Sequence, residues 1–95
     1  MQDKLKNIIQ MFLDNICKEL GKSQKDMGYF DYCRGQKQML LDMKEVVNQD
    51  NVDYLKEFEV LQNKYQDLAD KNSNFYNGGI NVVNYVIREY KKVGV

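Results

Sequence analysis

DKLKNIIQMFLDNICKEL, residues Asp3 to Leu20, decides the fold class of this chain. Leu5, Ile8, Ile9, Phe12, Leu13, Ile16, Cys17 and Leu20 recur at steps of three and four, while Lys4, Lys6, Asn7, Asp14, Asn15 and Lys18 fall mostly away from them. That is the period of an α-helix with one apolar face; a half-buried strand would alternate every second residue. Asp3 is placed to cap the first turn through its carboxylate, and Gly21 follows as the left-handed residue that ends many helices.

The same period continues downstream. Ser23-Gln-Lys-Asp26 resembles a capping box, so a second helix is expected to start there. Its seam is Tyr29, Cys33, Leu40, Met43 and Val47, interrupted by Gln36 and widened by Tyr32 and Met39. Gly28 and Gly35 each weaken this helix by roughly 1 kcal/mol relative to alanine, which packing must offset. Asp50 or Asn51 is expected to cap a third helix with the seam Tyr54, Phe58, Leu61, Tyr65 and Leu68, too short a repeat for a free coiled coil. The fourth helix starts either at Asn72-Ser73-Asn74 or after the turn signal Asn77-Gly78-Gly79, and carries Ile80, Val83, Val86, Ile87, Tyr90 and Val93. If the third and fourth helices ran on together, their seam would stay open for another chain; a sharp turn gives a self-contained unit. Tyr32 to Gly35 and Phe75 to Gly78 share an aromatic-then-glycine pattern, read as glycines that let helix backbones approach closely.

Together these stripes imply an all-α fold: a compact antiparallel bundle of three to four amphipathic helices in a single domain, residues 1–95. The chain is 43% hydrophobic and 29% charged, ordinary for a folded soluble protein. Fourteen basic residues balance fourteen acidic ones, so no net field draws in nucleic acid or an anionic membrane. Helix four carries Arg88, Lys91 and Lys92, but Glu89 interrupts them, and nucleic-acid binding is disfavoured. No segment reads as a leader or a membrane span, which makes the cytoplasm the expected location.

The residue types that carry most chemistry are scarce. The chain has no His, no Trp, no Pro and two Cys. Cys17 and Cys33 lack metal-ligand spacing and read as buried free thiols, so no metal and no cofactor is expected. Ser23 and Ser73 read as helix caps without a base to activate them, and no phosphate-binding loop is present. Glu57 and Glu59 do not face each other, and Asp67 and Asp70 fall among solvated positions. These absences point away from an enzyme.

Residues off the core stripes are the candidates for function. Phe30, Arg34, Lys37 and Leu41 follow i, i+4, i+7 and i+11, a strip about 100° round helix two from its seam. A ring, two cations and an aliphatic end suit an acidic partner helix or a phosphate; alternatively, helix two is central and buries two faces, with Arg34 and Lys37 reaching out at the edge. Tyr85 lies among Asn81, Arg88, Glu89 and Lys92, either stacked on Arg88 or free for a partner. With Met11 and Val60, these apolar outliers exceed what a lone four-helix monomer hides, and a homodimer is the economical way to cover them.

The expected function is binding, with a protein as partner and Phe30, Arg34, Lys37, Leu41 and Tyr85 as contacts. The alternative is an anionic nucleotide held between tyrosines and cations, for which the chain has seven tyrosines. Twelve lysines against two arginines, with ten asparagines and one alanine, give a composition similar to that of small accessory proteins of phages and mobile elements, many of which occupy a host protein's surface. That resemblance covers size and composition, with no motif.

Overall fold

Four amphipathic stripes need one another, because a short helix in water gains most of its stability from the apolar face it buries. The computed structural model describes residues 2–22 and 25–93, with side chains over 3–22 and 25–92. They form four helices: α1 (Gln2–Lys22), α2 (Met27–Val47), α3 (Tyr54–Leu68) and α4 (Ser73–Val93). No described residue lies in a strand. The all-α bundle expected from the periodicity is the observed fold, in its four-helix form.

The helices pair as two antiparallel hairpins. Across α1 and α2, Tyr29 Oη donates to Glu19 at 3.2 Å and Lys44 Nζ to Gln10 Oε1 at 3.4 Å. Across α3 and α4, the Tyr65 and Tyr76 rings meet edge-on at 5.4 Å, and Gln62 Nε2 donates to Asn84 Oδ1 at 2.7 Å. The hairpins join through α2 and α4, the most extensive helix pair. α2 and α4 point the same way: Gly28 lies by Asn74 near their starts, and Tyr90 late in α4 shares a hollow with Leu5 and Val52, just past the end of α2.

Glycine makes that central seam. A methyl group at Gly35 would occupy the place of the Phe75 backbone, and one at Gly78 that of the Tyr32 backbone. The two aromatic-then-glycine patterns therefore seat on each other reciprocally. The helix-weakening cost of Gly35 is offset by backbone-to-backbone packing that no other residue permits. Gly79 does similar work under the Tyr65 ring. Around this seam Leu5, Ile9, Met39, Leu40, Met43, Phe58, Val83 and Val86 are fully buried, each contributing about 1.5–3 kcal/mol by leaving water. Tyr65 is buried as well, and its hydroxyl reaches Asp42 Oδ2 at 2.9 Å.

Several boundaries differ from those the sequence implies. Gly21 does not stop α1, which runs through Lys22, and no described glycine has positive φ. α2 starts at Met27, four residues later than expected, because Asp26 is itself the cap: its extended backbone (φ −112°, ψ 103°) turns its carboxylate onto the Tyr29 N–H at 3.1 Å. The Ser23 cap lies outside the described residues. α3 is capped by Asp53 rather than by Asp50 or Asn51; Asn51 instead takes the left-handed conformation (φ 61°) that lets the chain turn between hairpins. Asn72, and not Ser73, caps α4 by accepting from the Phe75 N–H at 3.2 Å. Asn77-Gly78-Gly79 is helical, since its glycines serve the seam and not a turn. α3 and α4 fold back on each other across residues 69–72.

Two residues assigned to the core face from their spacing are placed differently. Cys17 is exposed, and only Cys33 is the buried thiol. Tyr29 is 45% exposed, its ring stacked on Tyr32 at 6.4 Å. The Val93 side chain lies outside the described residues. Val82, off the expected α4 stripe, is buried.

Candidate functional site

α2 is central, so its inward face is consumed by α1, α3 and α4. Helical geometry sends Phe30, Arg34, Lys37 and Leu41 to the other side, and they line one groove of about 530 Å³. Leu20 and Gly21 from the end of α1, Gln38 from α2 and Phe75 from the first turn of α4 complete it. The four strip residues chosen from spacing alone are thus together. Tyr85 is not among them: it lies on α4, 45% exposed, with the Arg88 guanidinium 5.6 Å from its ring centre.

The floor and rim differ in character. Phe30 is half-buried, whereas Leu41 keeps 40% of its surface exposed. Arg34 is held from two sides, by Asp31 Oδ1 at 3.4 Å and by the Phe75 ring, whose centre is 5.6 Å from its Cζ. Lys37 is half-buried and makes no ion pair or hydrogen bond with any described residue. An ammonium without a counterion among the described residues favours an incoming anion.

Below the groove the strip continues. Leu41 and Gln38 also border a second hollow with Asp42, Lys44, Glu45 and Asn48. Asp42 is engaged by Tyr65 and by Gln38 Nε2 at 3.0 Å, and Lys44 reaches Gln10 on α1. Burial, with the Asp42 hydrogen bond second, holds the Tyr65 hydroxyl well above the usual tyrosine range. On the hairpin's other side the Tyr29 hydroxyl is pushed up to about 12, first by its hydrogen bond with Cys33 and then by Glu19.

Phe75, Leu20 and Gln38 escaped the sequence reading. Phe75 looked like a residue ahead of a turn, and only the tight α2–α4 seam brings its ring beside Arg34. Leu20 counted as core by period; it is half-buried and packs against the core, and it also lines the groove at the end of α1. Among the described residues no helix is long and apolar enough to cross a membrane, and no group of three Cys, Asp or Glu is placed to hold a metal. Scans against protein-family models, curated proteins and solved structures found no match to this chain.

Proposed function

We propose that the chain is a non-enzymatic interaction module that docks on a protein partner through the α2 groove. The observation that carries this reading is that Phe30, Leu41 and Phe75 line one groove with Lys37, a half-buried residue whose cation has no counterion among the described residues. The matching surface is an acidic amphipathic helix: an apolar anchor seated against the rings, and a carboxylate on Lys37. The lysine- and asparagine-rich composition supports a small regulator or inhibitor of the phage or mobile-element kind. Neither cysteine is in a disulfide, which fits work in the reducing cytoplasm.

A second reading follows from the same lining. Two phenyl rings with Arg34 and Lys37, in a groove sized like a small-ligand pocket, also suit an anionic nucleotide.

Titration of isotope-labelled protein separates the two. The docking reading expects a synthetic acidic amphipathic peptide to move the amide signals of Phe30, Arg34, Lys37, Leu41 and Phe75, and Lys37→Glu to abolish the effect. ATP and GTP should leave both the spectrum and the thermal midpoint unchanged. Stabilisation by nucleotides with shifts at the same amides would transfer the site to the ligand reading, and an inert groove with both probes would remove it.

A further inference from the structure

We infer that the outward strip of α2 seats a second copy of this chain, antiparallel, about a twofold axis that passes beside Leu41. Most charges along the strip are already committed within the chain. Arg34 pairs with Asp31, Asp42 accepts from Tyr65 and Gln38, and Lys44 donates to Gln10. Two are not: Lys37 and Glu45 make no ion pair or hydrogen bond with any described residue.

Their placement is symmetric. Lys37 lies four residues before Leu41 and Glu45 four residues after it, each about 6 Å away along the helix axis and within about 40° of Leu41 round it. Within one chain they are about 12 Å apart along the axis, beyond ion-pair reach. An antiparallel copy centred on Leu41 reverses the order. Each Lys37 then meets the other copy's Glu45, twice by symmetry, and the two Leu41 side chains, 40% exposed in the single chain, cover each other. A parallel copy would set like charges against like. The antiparallel arrangement also opposes the two helix dipoles favourably.

One helix pair is a narrow seam, at the low end of the roughly 1,200 Å² that stable interfaces bury, so the dimer is expected to be weak and exchangeable. It covers Lys37 and Leu41, which also line the proposed docking groove, so a second copy and a partner would compete. The inference does not rest on that partner: a monomer would refute it and leave the groove free.

Sedimentation velocity across a concentration series on the full chain tests it. The wild type should dimerise, and Lys37→Glu and Glu45→Lys should each weaken the dimer at least about tenfold, because each sets two like-charged pairs face to face. The double variant should regain dimerisation. An equimolar mixture of the two single variants should form a heterodimer, since both of its contacts then join opposite charges. Both positions are on the outward face, and circular dichroism should show an unchanged fold. A wild type that stays monomeric, a dimer indifferent to both substitutions, or a double variant that fails to recover would overturn the inference.

Discussion

The inward face of α2 and its outward strip share the same 21-residue helix, yet they answer to different constraints. On the inward face Cys33, Gly35, Met39, Leu40, Met43 and Val47 are buried, and each side chain's size is explained by what it touches. Gly35 is the extreme case, where even one methyl group would collide with the Phe75 backbone. The outward strip has no such explanation from within the fold. Leu41 is 40% exposed, and Lys37 and Glu45 are charged without a partner among the described residues. A residue whose identity the fold does not require is where a contact with something else is to be sought.

That contrast can be broken first at Gly35. Gly35→Ala should force α2 and α4 apart and cost about 3 kcal/mol, a large share of the roughly 5–15 kcal/mol of a small domain. Gly78→Ala, its reciprocal at Tyr32, should cost a similar amount. Urea denaturation measures both, and a loss below the level of an ordinary surface substitution would mean that the seam is looser than described.

A smaller effect is expected at Tyr65, where inward packing and outward strip meet through Asp42. Tyr65→Phe keeps the ring over Gly79 and should cost about 1 kcal/mol for the lost hydrogen bond. Its consequence for pH is separate. The folded-state pKa values of Tyr65 and Tyr29 both lie above the ordinary tyrosine value of 10.0, so the stability linked to them is complete below pH 10. It is lost as pH rises through the folded values, for Tyr29 towards about 12. Alkaline melts should fall in midpoint across that window, and Tyr65→Phe should flatten the fall. An alkaline profile unaffected by the substitution would contradict the buried hydroxyl.

The smallest effect has the opposite sign. Gly21 is helical and open space surrounds its Cβ position, so Gly21→Ala should stabilise the chain by about 0.5 kcal/mol, read as a small rise in urea midpoint. Destabilisation there would mean that α1 ends earlier, at Leu20.

Helical period made the fold and the strip legible in the sequence. Leu5, Ile9, Met43, Phe58 and Val83 repeat at helical steps and are buried, and Phe30, Arg34, Lys37 and Leu41 share a face because the same period places them there. What period does not encode is the contact between distant segments. Gly78 and Gly79 are open locally to both a turn and a helix, because what decides between them is Tyr32, 46 residues from Gly78, and Tyr65, 14 residues from Gly79. The caps are less legible: Asp26, Asp53 and Asn72 each accept from a first-turn N–H, and several Ser, Asp and Asn residues near each start offer the same side-chain chemistry. Phe75 joined the groove only once that geometry was fixed.

Leu40 and Leu41 are adjacent in sequence and stand on opposite sides of the contrast, fully buried and 40% exposed. Urea denaturation of Leu40→Asp and Leu41→Asp, compared at low protein concentration, is the most direct test of it. Leu40→Asp should lose about 4 kcal/mol or more, or fail to fold, because it buries a carboxylate without a partner. Leu41→Asp should keep its cooperative transition within about 0.5 kcal/mol of the wild type, as an outward position does. If Leu41→Asp unfolds the chain as well, α2 buries both faces and the outward strip is core, not a contact surface.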